Sequence, residues 1–132
     1  MSSTPGKLVA GRYEREGNVL HLWFPESVRL NDAESVKLFF DEVVADWIDT
    51  VPGRFYLLVN YNNLHIGSRV ADEYAKNIQR FQHKLLGTFR YGLPADFTGV
   101  AVSLGNMRLS AQANIFENEA AARAAIKRLR SQ

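Results

Sequence analysis

Apolar and polar positions group into two early extended runs, Arg12 to Glu16 and Val19 to Phe24, on either side of Gly17-Asn18. Two such runs around a two-residue Gly-Asn loop predict a β-hairpin. In that register Leu20, Leu22 and Phe24 share a face with Tyr13 and Arg15, while Val19, His21 and Trp23 share the other with Glu14. Both faces carry apolar groups, so the hairpin belongs to a larger, covered sheet. A helix of the same chain is the simpler cover for the second face. A second subunit would also serve, which makes a homodimer one of the expected assemblies.

The period changes after Asn31. Asn31-Asp32-Ala33-Glu34 resembles a capping box, with Asn31 as N-cap and Glu34 at N3. Behind it Val36, Phe39, Phe40, Val43, Val44, Trp47 and Ile48 recur at three- and four-residue spacing, the mark of an amphipathic helix that Pro52-Gly53 stops. The unbroken apolar run Phe55 to Val59 suits a central strand buried on both faces. A second helix opens near Ser68, with Val70, Tyr74, Ile78, Phe81, Leu85 and Phe89 as its core stripe and Lys76, Arg80, His83 and Lys84 on a solvated face. Gly92-Leu93-Pro94 breaks the chain. Gly99 to Leu104 predicts another buried strand, Gly105-Asn106 a turn, and Met107 to Ala111 either a helical turn or a strand. Asn114 to Phe116 predicts a short strand, and Glu119 to Arg130 an alanine-rich helix with Ala122, Ile126 and Leu129 inward.

This order predicts an α/β domain: one mixed sheet of about four to five strands, an N-terminal hairpin at its edge, and helices packed on it. Residues 1–11 are expected to form a flexible tail, and residues 12–132 a single domain.

Composition narrows the function. The chain has 132 residues, 46% hydrophobic and 23% charged, the make-up of one ordinary globular domain. No apolar run approaches the roughly 20 residues that span a bilayer. Met1 to Lys7 lacks the apolar core of a signal peptide, so the expected location is the cytoplasm, with no stable membrane insertion. Zero cysteines exclude disulfides, thiolate metal sites and a cysteine nucleophile. Sixteen basic and fourteen acidic side chains are interleaved, except where Lys127, Arg128 and Arg130 complement the dipole at the end of the last helix. A nucleic-acid partner is therefore not expected.

The chemical motifs are few. No phosphate-cradling glycine loop, zinc-protease pair or nucleophile elbow is present. His21, His65 and His83 fall in a strand, a loop and a helix without metal-ligand spacing, and nothing calls for a metal or cofactor. Glu14 and His21 face each other across the hairpin, which reads as a cross-strand ion pair or surface contact rather than an acid–base couple. Asp41, Glu42 and Asp46 lie on a helix flank as solvated carboxylates. With no nucleophile beside an evident base, the reading is non-enzymatic.

The stretch Asn60 to Arg69 follows the central strand and leads into a helix, the place where ligands and switches gather in open α/β sheets. Asn60, Asn62 and Asn63 suit turns and left-handed backbone. Gly67 gives freedom before Ser68, which caps a helix in one reading and accepts a phosphate at the helix start in the other. His65 and Arg69 complete this candidate binding loop, with Asn106 and Arg108 expected at the same end of the sheet.

The element order and the closing Ile115-Phe116-Glu117-Asn118-Glu119-Ala120-Ala121 resemble the STAS superfamily, in the divergent branch of anti-sigma-factor antagonist-like domains. The resemblance covers about residues 12 to 131. It implies a regulatory module whose partner is a kinase or another signalling protein. That family's Asp-Ser-(Ser/Thr)-Gly-Leu-like motif is matched by Gly67-Ser68-Arg69-Val70, so Ser68 would inherit the phosphoacceptor position. Gly67 stands in place of the motif's aspartate, Arg69 in place of a small residue, the following glycine is missing, and Asn60 replaces a strand-terminal aspartate. That branch is also similar in outline to lipid-carrier folds. The aromatic side chains of the two helices (Phe39, Phe40, Trp47, Tyr74, Phe81, Phe89) then read either as core or as walls of a small-molecule or lipid pocket between helices and sheet.

Overall fold

The hairpin forms, but the four-residue turn from Arg15 to Asn18 closes it and not Gly17-Asn18 alone, so His21 stands opposite Arg12 rather than Glu14. β1 (Ala10–Glu14) pairs antiparallel with β2 (Val19–Trp23), Tyr13 opposite Leu20 and Arg12 opposite His21. Asn18 takes the left-handed conformation that the turn requires (φ 58). β1 starts at Ala10, inside the stretch read as tail. The computed structural model describes residues 9–92 and 115–131. The strand expected at Gly99 to Leu104, the turn Gly105-Asn106, the segment Met107 to Ala111, and Asn106 and Arg108 all lie outside the described residues.

β4 (Phe55–Asn60) is the central strand, parallel to β2 on one side and to β6 (Leu85–Tyr91) on the other, and β7 (Ile115–Phe116) pairs parallel with β6. The sheet order is β1-β2-β4-β6-β7, a mixed five-stranded sheet with the antiparallel hairpin at one edge. This is the predicted α/β architecture. A second, two-stranded parallel sheet joins β3 (Val28–Leu30) to β5 (Leu64–Ile66).

The first helix is composite. α1 (Ala33–Leu38) runs through a π-helical segment (Phe39–Val44) into α2 (Ala45–Asp49). Its cap is Asp32, not Asn31: Asp32 Oδ1 accepts from the Ser35 N–H at 2.7 Å, and the Asp32 N–H donates to Ser35 Oγ at 3.2 Å. The shift has a cause in the neighbouring sheet. β3 holds the chain extended up to Leu30, whose carbonyl accepts from the Gly67 N–H at 2.9 Å, so the turn into the helix comes one residue later. In the π segment Phe39, Phe40, Val43 and Val44 are all buried. Its wider turn spreads consecutive residues over the core side, a broader buried face than an α-helical stripe.

α3 (Ala71–Gln79) is shorter than its spacing predicts. Leu85 and Phe89 lie at helical intervals from Phe81, yet a 3₁₀ turn (Gln82–Lys84) follows and the chain becomes β6. Gly87 disfavours continuing the helix, Thr88, Phe89 and Tyr91 favour extended backbone, and pairing along β4 decides the competition.

The last helix, α4 (Glu119–Arg130), is capped by Asn118, whose side chain accepts from the Ala121 N–H at 2.9 Å. Ala122 and Ile126 are buried as expected, whereas Leu129 is 44% exposed. The composite helix and α3 cover one face of the sheet over Leu22, Leu57 and Val59. α4 covers the other over Val19, Leu58 and Phe89. The second hairpin face is therefore covered by the chain itself, and that face does not call for a second subunit.

Candidate functional site

The loop after β4 is built by its asparagines. Asn60 Oδ1 accepts from the Asn62 N–H at 2.9 Å, a side-chain-closed turn. Asn63 sits in the left-handed region (φ 76); its Nδ2 donates to the Phe24 carbonyl at 3.0 Å and its own carbonyl accepts from Val28 N–H at 2.7 Å. These bonds hand the chain to β5, so Asn60 and Asn63 shape the loop while Asn62 is exposed. Gly67 does not adopt a left-handed conformation. The glycine that needs one here is Gly92 (φ 70), where a Cβ would lie 2.5 Å from Asn60 Oδ1.

β5 places the half-buried His65 opposite the exposed Arg29 of β3. Ser68–Val70 then forms a 3₁₀ turn closed by the Val70 N–H on the Gly67 carbonyl at 3.0 Å. α3 begins at Ala71 with Val70 as its N-cap and no side-chain cap bond, and Asp72 and Glu73 supply the acidic first turn that complements the dipole. Ser68 thus begins the 3₁₀ turn that runs into α3, next to the exposed Arg69. Asn60, Asn62, Asn63, His65, Gly67, Ser68 and Arg69 lie on the connection from β4 to α3, with His65 in β5.

Beneath the loop lies a buried polar group that sequence reasoning missed, because Arg90 fell in the stretch read as helix. Arg90 is wholly buried, and its Nε donates to the Tyr61 hydroxyl at 3.2 Å. The Tyr61 and Tyr74 hydroxyls share a 2.8 Å hydrogen bond, and burial pushes the Tyr74 hydroxyl well above its usual range.

A second cluster ties α4 to the sheet. Arg123 Nη1 and Nη2 donate to Glu14 at 2.7 and 2.8 Å, and its Nε donates to Glu119 at 2.7 Å. The predicted Glu14–His21 contact is not direct, since Arg123 stands between them with Nη2 3.4 Å from His21 Nδ1. His21 Nε2 and the Tyr91 hydroxyl are 2.7 Å apart, and Tyr91 donates to Glu119 at 3.3 Å. With Nδ1 facing a guanidinium, these partners assign the imidazole proton to Nε2. The Arg123 hydrogen bonds hold the Glu14 carboxyl at about 2. Burial lowers His21, and burial together with Glu119 pushes Tyr91 to about 12. The Asn60 side chain also bonds the Tyr91 hydroxyl, which links the loop to this cluster.

An apolar seam lies between the π-helical segment and the sheet. Its walls include Phe39, Phe40, Val44, Leu57, Val59 and Phe81. Among the described residues no group of three or more histidines or carboxylates is placed to hold a metal ion, and no helix is long and apolar enough to cross a membrane.

No protein-family model matches the chain, and neither does any curated protein.

Proposed function

We propose that the chain is a non-enzymatic, STAS-like regulatory module that docks a signalling protein or kinase in the cytoplasm through the loop from Asn60 to Arg69, with Ser68 as a phosphoacceptor switch. One observation carries this reading: Ser68 opens the 3₁₀ turn Ser68–Val70 that leads directly into α3, on the connection that follows the central parallel strand. The surroundings support it. Asn62 and Arg69 are exposed, and the loop's backbone is tied down by Asn60, Asn63 and the β3–β5 pairing, which presents them on a fixed frame. Arg29 and Arg69 would attract acidic groups of a partner or a phosphate.

The test starts from protein purified from its native cells and weighed intact, first under native and then under denaturing conditions. A covalent phosphate that maps to Ser68 is the expected result. Partner recovery is then compared for Ser68→Ala and Ser68→Glu: the alanine variant retains the partner and the glutamate variant loses it. Equal recovery by both, with no phosphate at Ser68, overturns the reading.

A further inference from the structure

We infer that the seam between the π-helical segment and the sheet is a binding site for a compact, uncharged apolar molecule about the size of one aromatic ring, with the Phe81 ring as its plug. The free space open to the centre of a water molecule is about 40 Å³. That is roughly three times what a single water needs, but a water also needs two to four polar partners. The walls are almost wholly hydrocarbon, with only the hydroxyls of Tyr61, Tyr74 and Thr88 along them. Space of this kind favours an apolar guest over water, and apolar cavities of about 150 Å³ take up benzene.

The seam is smaller than that as it stands, and Phe81 supplies the difference. Phe81 is half-buried on the short link between α3 and the following 3₁₀ turn, where no long element holds it. Its ring stacks on Phe40 with centroids 6.2 Å apart and planes at 19°, and the Arg80 guanidinium lies 5.2 Å from it. A ring that swings outward vacates one ring's volume against Phe40, and an aromatic guest replaces the same stacking contact. The opposite wall is the π-helical segment, a distortion that recurs at functional sites. Pockets for drug-sized ligands enclose roughly 300 Å³ or more, far above this seam, so it selects against a long lipid tail. The inference is independent of docking at Ser68, because binding is read on the isolated protein.

The experiment titrates benzene, and separately decanoate, into the wild-type chain while methyl NMR shifts and the melting temperature are followed. Benzene is expected to shift methyls of Val44, Leu57 and Val59 and to raise the melting temperature with concentration. Val59→Leu adds a methylene to the wall and weakens benzene by about tenfold or more. Val44→Leu does the same from the helix side if the strand variant does not fold. Phe81→Ala removes the plug and tightens binding. Silence of those methyls at saturating benzene overturns the inference, and so does unchanged affinity in the filled variant. Decanoate binding more tightly than benzene also overturns it, in favour of an acyl-chain site.

Discussion

Arg123 shows how much one side chain can hold. Its guanidinium makes a two-pronged bond to Glu14 on β1, a single bond to Glu119 one helical turn earlier, and a contact with His21 on β2. A planar fork with five donors can serve these partners at once, which a lysine ammonium cannot. The pair with Glu14 is partly shielded, with 34% and 22% of the two side chains exposed, so solvent screens it less than an ordinary surface pair. Arg123→Met keeps the stem that packs on the sheet and removes the fork. The variant is expected to lose about 1.5–3 kcal/mol, the range for hydrogen bonds to charged groups, read from urea unfolding. The Glu14 carboxyl should at the same time return from about 2 toward its ordinary 4.5 in an NMR titration. An unchanged midpoint together with an unchanged Glu14 titration would show that Arg123 is a spectator. Nothing in the sequence points to this residue, since Arg123 and Glu14 are separated by 109 positions and meet only after the sheet has formed.

Elements were legible where their signals are local. The start of α4 and the apolar run of β4 are each specified within a few residues, and each stands where its pattern puts it, whereas the hairpin turn is two residues longer than Gly17-Asn18 alone would make it. β3 and β5 were invisible because three-residue strands carry no period of their own. They exist because Val28 to Leu30 and Leu64 to Ile66 find each other. β6 was hidden by coincidence: Phe81, Leu85 and Phe89 keep helical spacing, but Leu85 and Phe89 belong to opposite faces of a strand. The candidate loop was readable because asparagine and glycine declare a turn. The 3₁₀ turn Ser68–Val70 ahead of α3 was not, because such a turn and the first turn of an α-helix share the same residue preferences. The displaced capping box makes this competition measurable. Asp32→Ala should cost about 1 kcal/mol, the usual loss for an N-cap, while Asn31→Ala should leave stability nearly unchanged. Urea unfolding of the two variants compares them directly. A larger loss at Asn31 would place the box where the sequence pattern alone puts it.

For the whole molecule, the titrating groups of the α4 cluster set the pH range over which both layers stay docked. His21 is held neutral by burial, below its ordinary value of 6.5. As pH falls through 6.5 the unfolded chain takes up a proton that the folded chain refuses, so stability declines. Hydrogen bonds from Arg123 lower Glu14 and Glu119, and Arg80 lowers Asp41, so these carboxylates add a second decline of the same sign below 4.5. For Glu14 that decline runs down to about 2. At the alkaline end the sign reverses. Tyr91 keeps its proton to about 12 where an ordinary tyrosine loses it near 10.0, so stability falls as pH rises between those values. The expected profile of melting temperature is a plateau from about 6.5 to 10, with a shoulder on the acid side before the main fall. His21→Gln should remove the shoulder and leave the fall below 4.5 in place. The acid loss should also be local at first. His21, Glu14 and Glu119 all act on α4, which closes the smaller of the two cores, whereas the composite helix and α3 cover the larger one. Hydrogen exchange at pH 5 should therefore quicken in Ala122 to Ile126 before it quickens in Val36 to Val44. Simultaneous loss of protection in both segments would mean that the cluster stabilises the molecule as one unit and does not act as a separate clasp on its last helix.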